Sequence, residues 1–409
     1  MSFQRLSEIS DDLIAETEQL KFVRSKLFTA LTPSKQNVII LKGARGIGKS
    51  TLIQQFLLSR KKKNDNVLYV SADSTLLDLS LAEFAHEYQK RGGCYLAFDE
   101  IHKYQNWQSE IKTILDSFPN LKLLVSGSSS TSLDYASADL SRRHIMLNAK
   151  GLSFREYIEK THQLKFNIYP LKEILLRSEE ITYHIVKEFR EQQLDLLKLF
   201  KEYLRCGYFL ARDNYPTETL YYNSLLNTIN SVIDADLAYS YTDIDNVSKQ
   251  KIKALLKHIA TKCPFTPNIS ELSKSLNIAN DNTLKKYLYY LSEGEVITNL
   301  YPVNKSHKDF QRPQKIFLNN TNYAYAHEDS PQIGTIRETF VANCLRDEGD
   351  LTAPTYGDFC LNEEWTFEVG GRSKTKRQIR SIQQSYVFAD DILSVEQGNL
   401  PLWLLGFLW

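Results

Sequence analysis

What this 409-residue sequence lacks narrows its class before any motif is read. Cysteine is scarce: Cys94, Cys206, Cys263, Cys344 and Cys360 stand far apart, with no C-x-x-C pair and no metal-ligand spacing. That excludes a disulfide framework and fits reduced, buried thiols of a cytosolic protein. The polar start MSFQRLSEISDDL has no apolar core of the kind a signal peptide needs. The apolar tail 401–409 falls far short of the ~20 residues that span a bilayer, and is expected to form a terminal core strand. The expectation is therefore a soluble, cytoplasmic protein with no membrane partner. Excess charge of one sign is missing too: 50 Lys and Arg face 49 Asp and Glu. Any nucleic-acid contact must then come from a local basic patch. Internal repeats and low-complexity linkers are also absent.

What remains is an ordinary globular composition, 42% hydrophobic and 24% charged, on a chain long enough for more than one core. Apolar runs at 38–41, 67–70, 95–98 and 121–125 look like strands buried on both faces. Helical stretches at 50–59, 79–90 and 107–118 lie between them. This alternation predicts an α/β fold with a doubly wound parallel sheet, whose ligands sit at the carboxyl ends of the strands. From 151 to 248 the pattern becomes all-helical, with helices expected at 153–160, 171–177, 181–204 and 218–233. Residues 249–305 read as helices 250–263, 270–276 and 283–292 followed by a strand at 296–302, which suggests a winged helix-turn-helix. Residues 306–409 return to strands, at 315–318, 359–361, 365–369, 385–388 and 402–408, around a helix at 338–346. Four domains are thus expected: 1–150, 151–248, 249–305 and 306–409.

Gly43, Ala44, Arg45, Gly46, Ile47, Gly48, Lys49 and Ser50, followed by Thr51, fit G-x-x-x-x-G-K-[ST] between a strand and a helix. Glycines let successive N–H groups turn inward toward phosphate oxygens, and the helix N-terminus adds partial positive charge. Lys49 should reach the β- and γ-phosphates of ATP, and the Ser50 hydroxyl should hold Mg²⁺. The run Cys94-Tyr95-Leu96-Ala97-Phe98-Asp99-Glu100 is a buried strand ending in two carboxylates. Asp99 suits a Mg²⁺ contact, often through water. Glu100 points differently and can polarise an attacking water; it is the feature that argues for hydrolysis over mere binding.

The next strand ends in Ser126-Gly127-Ser128-Ser129-Ser130. Ser126 or Ser128 could orient the water or touch the γ-phosphate, unless these residues simply form a turn. Arg142 and Arg143 follow the core strands and are candidates for the transition-state charge, in cis or from a neighbouring subunit; the alternative is a solvated pair. His102 is read as packing or supporting the site, and Arg60 to Lys63 as a solvated loop.

These residues in this order resemble prokaryotic ATPases with an AAA+ domain followed by a C-terminal domain of the DUF4143 type. The resemblance rests on the stretch from Leu41 to Thr51, on Phe98-Asp99-Glu100-Ile101-His102, and on the serine run at 126–130. It also rests on Leu152-Ser153-Phe154-Arg155-Glu156-Tyr157, the most selective piece, and on the helix-turn-helix near 270–291. It covers nearly the whole chain and implies ATP binding and hydrolysis. It further implies a C-terminal restriction-endonuclease-like fold, whose metal site uses a helix Glu, a strand Asp and a Glu-x-Lys pair. Glu338, Asp358 and Glu368 match the acids, but Gly370 stands where the lysine belongs, with Lys374 or Arg372 as substitutes from the next loop. A nuclease-like fold used for binding is the expectation that follows.

The basic residues Arg372, Lys374, Lys376, Arg377 and Arg380, with Lys285 and Lys286 on the expected recognition helix, are the candidate contacts to DNA. Helix-turn-helix units also serve as protein contacts. The leading reading is an ATPase whose cycle moves the later domains against an unknown protein or DNA partner, with oligomerisation possible. An ATP-dependent nuclease and a non-hydrolysing, nucleotide-gated scaffold are the alternatives.

Overall fold

The computed structural model describes residues 2–32, 37–128, 143–303 and 312–409. The chain divides into two compact units: Met1–Gly151 with Tyr239–Tyr241, and Leu152–Ala238 with Thr242–Trp409.

In the first unit, helices α1 (Ser2–Glu16) and α2 (Ser25–Ala30) precede β1 (Val38–Lys42), α3 (Lys49–Lys61), β2 (Val67–Ser71) and α4 (Leu81–Lys90). Then come β3 (Tyr95–Asp99), α5 (Trp107–Ser117), β4 (Lys122–Gly127) and β5 (His144–Asn148). The five strands form one parallel sheet in the order β2-β3-β4-β1-β5. Strands β1, β3 and β4 are buried along nearly their whole length, which is why they read as continuous apolar runs rather than alternating ones. Val38, Ile40, Phe98 and Val125 meet Phe84, Ile111 and Ile114 from the helices in one core. The register sets Ser71 beside Asp99 and Lys42 beside Gly127, so the carboxyl ends of the strands form a common rim. Chain order reverses across β1, and such a reversal opens a ligand crevice at that rim. Strand β5 had no counterpart in the sequence reading.

The second unit begins with helices α6 (Phe154–His162), α7 (Leu171–Leu176), α8 (Ser178–Glu191), α9 (Leu196–Glu202) and α10 (Glu218–Ser231). The single helix expected over 181–204 is two, α8 and α9; the chain turns between them with Gln193 at φ +55°. Ser153 and Glu156 form a capping box that starts α6. Phe154 is buried, and Arg155 donates from Nε to the Trp409 O atom at 3.0 Å. The selective Leu-Ser-Phe-Arg-Glu-Tyr stretch thus nucleates and anchors a helix.

Next come α11 (Asn246–Ala260), α12 (Ile269–Ser275), α13 (Asp281–Glu293), β6 (Ile297–Pro302) and β7 (Lys315–Leu318). Helices α14 (Thr321–His327) and α15 (Ile333–Leu345) follow, then β8 (Leu351–Ala353), β9 (Phe359–Leu361), β10 (Trp365–Gly370), β11 (Ser385–Ala389) and β12 (Asn399–Pro401). These strands make a mixed seven-stranded sheet ordered β12-β11-β10-β9-β8-β6-β7. β6 pairs with β7 on one side and β8 on the other, so the strand after the α12–α13 pair belongs to the same sheet as the last hundred residues.

The expected strand over 402–408 is instead a buried 3₁₀ helix, Leu402–Phe407, with Trp403 donating from its ring nitrogen to the Ile392 carbonyl at 3.1 Å. An apolar run buried on all sides carries no periodicity to separate the two conformations. Among the described residues, no helix is long and apolar enough to cross a membrane.

Candidate functional site

The loop between β1 and α3 carries Gly46 and Gly48 at φ +82° and +88°, the left-handed region that glycine enters without strain. Gly43 is required for a different reason. A Cβ there would stand 2.3 Å from the Ala149 carbonyl oxygen. Lys49, in the first turn of α3, is 6% exposed and donates from Nζ to the carbonyls of Gly43 at 2.8 Å and Ala44 at 2.9 Å. Its ammonium therefore lies inside the curve of the loop. Arg24, which the sequence reading passed over, is buried and donates to Lys150 O at 2.6 Å and Gly151 O at 3.0 Å, with Ile47 O at 3.5 Å. It ties the loop to the segment after β5. Ala44, Arg45 and Ile47 complete the turn, and Ser50 and Thr51 are half-buried in the first turn of α3.

Asp99 closes β3 and is 3% exposed. Three donors converge on it: the Tyr69 hydroxyl on one oxygen, and on the other the Ser126 hydroxyl and the Glu100 N–H, the last at 3.0 Å. All three are neutral, and among the described residues no cation pairs with this carboxylate. Tyr69, in the middle of β2, is a second residue the sequence reading missed. Burial and then the neighbouring Asp99 charge hold its phenol well above the ordinary range, so it stays a donor.

Glu100 takes φ +53°, a left-handed conformation uncommon outside glycine. The turn swings its carboxylate away from the path of the strand. Its Oε2 is buried, has no hydrogen-bond partner among the described residues, and lies 3.5 Å from Lys103 Nζ and 3.7 Å from His102 Nε2. His102 accepts the Ser128 N–H at Nδ1 at 3.3 Å. That bond fixes the ring proton on Nε2, facing Glu100. The Ser128 hydroxyl is buried with no hydrogen-bond partner among the described residues. The structure thus brings Tyr69, Ser126 and Glu100 together at Asp99, with His102 and Ser128 beside Glu100, while Lys49 sits in the loop 43–48 and Ser50 follows it in α3. Arg143 stands apart, half-exposed and paired with Asp116. Arg142 lies outside the described residues.

In the second unit, the basic residues considered for DNA are for the most part already engaged. Lys286 pairs with Asp243 at 2.6 Å, Arg372 with Glu396 at 3.1 Å and Lys374 with Glu368 at 2.6 Å. Lys376 donates to the Ser385 carbonyl at 3.3 Å. Arg377 and Arg380 are exposed and Lys285 half-buried, with no ion pair among the described residues. Lys374 lays its stem over Gly370, where a Cβ would stand 2.6 Å from its Cδ. It therefore fills the space a side chain at 370 would take. Lys315 stands 3.5 Å from Glu338 and 3.6 Å from Asp358. Among the described residues, no group of three or more His, Cys, Asp or Glu side chains is arranged to hold a metal ion.

Residues 35–158 match a family model described as an AAA domain, which assigns an AAA-type P-loop domain to this segment. Two similar proteins come from Methanocaldococcus jannaschii. The uncharacterized protein MJ1637 is 28% identical over 94% of this chain and 87% of its own length. The uncharacterized protein MJ1544 is 23% identical over 84% and 73%. Among solved structures, AMPPCP-bound DnaA from Aquifex aeolicus aligns with 66% of this chain and 85% of its own at 14% identity, with a TM-score of 0.26.

Proposed function

We propose that this chain binds Mg-ATP in the cradle 43–51 and hydrolyses it, with Glu100 as the base. The observation that carries this reading is the state of Asp99, a buried carboxylate whose donors among the described residues are all neutral. A buried charge without a counter-charge costs several kcal/mol, and a cation between Asp99 and Ser50 removes that penalty. Bound there, Mg²⁺ would neutralise charge on the β- and γ-phosphates.

The chain's own groups do the rest. The left-handed glycines turn loop N–H groups toward the phosphates at the start of α3. Lys49 exchanges its two carbonyl partners for phosphate oxygens without leaving the loop. Glu100, turned off the strand, takes the proton of the attacking water. Ser126 is committed to Asp99 and so aligns that carboxylate, whereas the Ser128 hydroxyl is available for the γ-phosphate or the water. Arg142 or Arg143, in cis or from a neighbouring subunit, supplies the remaining positive charge.

The proposed cycle acts through residues 152–409. There a helical region, a winged helix-turn-helix around α12 and α13, and a nuclease-like C-terminal part engage a protein or DNA partner. Metal-dependent cleavage is not part of the proposal, because Lys315 and Lys374 already neutralise the acids that such a site would need.

Steady-state ATP hydrolysis by wild type and Glu100→Gln, with and without double-stranded DNA, tests the reading. The variant should bind ATP and turn over roughly 10²–10⁴-fold more slowly. A wild type that binds ATP but never consumes it would make the chain a nucleotide-gated scaffold and remove Glu100 from the chemistry.

A further inference from the structure

Between Asn246 and Ser270 the chain carries Lys249, Lys251, Lys253, Lys257 and Lys262 and no acidic residue. Most of this stretch is α11, which buries Ile252, Leu255, Leu256 and Ile259 in the second unit. With about 3.6 residues per turn, the opposite line of the helix holds Gln250, Ala254 and Thr261, all exposed. The cations stand on either side of that line. Lys249, Lys253 and Lys257 follow one flank; Lys251 and, in the turn that closes the helix, Lys262 follow the other. Lys253 pairs with Asp234 at 2.6 Å, whereas Lys249, Lys251, Lys257 and Lys262 make no ion pair among the described residues. The expected recognition helix α13 is the poorer candidate, since Asp243 holds its Lys286 and it carries Asp281 and Glu293 at its ends.

Like charges gathered on one face repel one another, and a polyanion relieves that repulsion. A plain middle line with cations on both flanks suits the groove of a duplex, which has a phosphate strand on each side. An α-helix with its side chains is about 10–12 Å across, and the major groove is about 12 Å wide. Lysine heads are point charges, suited to phosphates more than to base edges. No Phe, Tyr or Trp lies between residues 246 and 262, which argues against single strands, whose bases stack on aromatic rings.

We propose that α11 binds duplex DNA through its phosphates, with little regard to sequence, its two lysine flanks meeting the two strands of the major groove. The inference deepens the reading above in which residues 152–409 engage a protein or DNA partner, and rests on that part of it.

The test titrates the full chain, without nucleotide, into a short fluorescein-labelled DNA duplex of mixed sequence and reads anisotropy across a salt series. Wild type should bind at low salt and weaken steeply as salt rises. Lys249→Gln/Lys257→Gln and Lys251→Gln/Lys262→Gln should each lower affinity roughly tenfold or more and reduce the slope of log K against log salt by about 2. The corresponding arginine pairs should keep the wild-type slope, which separates charge from folding. Lys285→Gln on α13 should change little. The inference is overturned if wild type does not bind the duplex at low salt, if the glutamine pairs bind as wild type does, or if Lys285→Gln costs more than either pair. Tighter binding to the matching single strand or to poly-glutamate also overturns it, the latter reassigning the face to an acidic protein. Nucleotide is left out so that a chain that never hydrolyses ATP, the failure of the Mg-ATP reading, leaves this result standing.

Discussion

Replacing Lys374 by Met should destabilise the second unit by an amount set by the burial of Glu368. The Glu368 side chain is 1% exposed, with one oxygen 2.6 Å from Lys374 Nζ. Its other oxygen is buried with no hydrogen-bond partner among the described residues. Breaking a fully buried pair by removing one partner costs about 3–5 kcal/mol, and an exposed pair is worth about 0–1 kcal/mol. Here the acid is fully buried but the lysine is 30% exposed, so about 2–3 kcal/mol is expected. Methionine keeps a stem over Gly370, so the loss reports the charge rather than a void. Glu368→Gln removes the charge that needs a partner and should cost less. The double variant should then be little worse than Glu368→Gln alone, a coupling of about 1–2 kcal/mol.

Urea unfolding followed by tryptophan fluorescence suits the question, because Trp365, Trp403 and Trp409 lie in this unit and only Trp107 in the other. With a slope of about 2–3 kcal/mol per molar urea, Lys374→Met should lower the midpoint by about 1 M. A shift lost in the error of the midpoint, or two single effects that simply add, would refute the argument. The pair would then be screened by solvent and would not be what keeps Glu368 buried.

Two further expectations concern single positions. Glu338, half-buried on α15, has its carboxyl raised above the usual range, chiefly by loss of solvent, with Lys315 opposing and Asp358 assisting. The folded state therefore holds that proton more tightly than the unfolded chain, and the contribution, full below the unfolded value, is lost as pH rises through the folded one. Relative to Glu338→Gln, the wild-type urea midpoint should fall as pH rises above the usual carboxylate range; a rise would show that Lys315 wins. At the nucleotide loop, Gly43→Ala places a Cβ 2.3 Å from the Ala149 carbonyl oxygen and 2.5 Å from Ile47 Cδ1. The Ala149 N–H donates to Lys42 O at 2.7 Å, so that backbone cannot retreat easily. A loss of about 1–3 kcal/mol is expected, or several degrees in thermal unfolding of the first unit, together with weaker ATP binding. An unchanged transition would mean that the approach of β1 to residue 149 is not tight.

Much of the first unit was legible because its strands are buried on both faces and its loop glycines are demanded by backbone geometry. β5 was not legible for the opposite reason. His144 to Asn148 form a half-exposed edge with mixed polarity, and the strand is specified by pairing with β1 rather than by its own pattern. Tyr69 and Arg24 were missed because nothing local marks them. Tyr69 reads as one more apolar residue in a core strand, and only the β2–β3 pairing carries its hydroxyl to Asp99. The break between α8 and α9 came without glycine or proline, at a left-handed glutamine. The 3₁₀ turn of the tail is decided by what surrounds it, since every residue from Leu402 to Phe407 is buried.

The two carboxylate clusters make opposite physical statements, and the contrast bears on which part of the chain does chemistry. In the second unit the acids are compensated from within. Lys315 stands between Glu338 and Asp358, Lys374 meets Glu368, and the Val369 N–H donates to Asp358 at 2.8 Å. A divalent cation would have to displace Lys315 and leave its ammonium half-buried, so the gain from binding is offset before any substrate arrives. In the first unit Asp99 is more deeply buried than Asp358 or Glu338, yet its donors are two hydroxyls and an amide. Neutral donors satisfy a carboxylate's lone pairs but not its charge. A fold that sets its own lysines on Glu338, Asp358 and Glu368 and, among the described residues, only neutral donors on the buried Asp99 supports the proposal that this last charge is kept for something the chain binds.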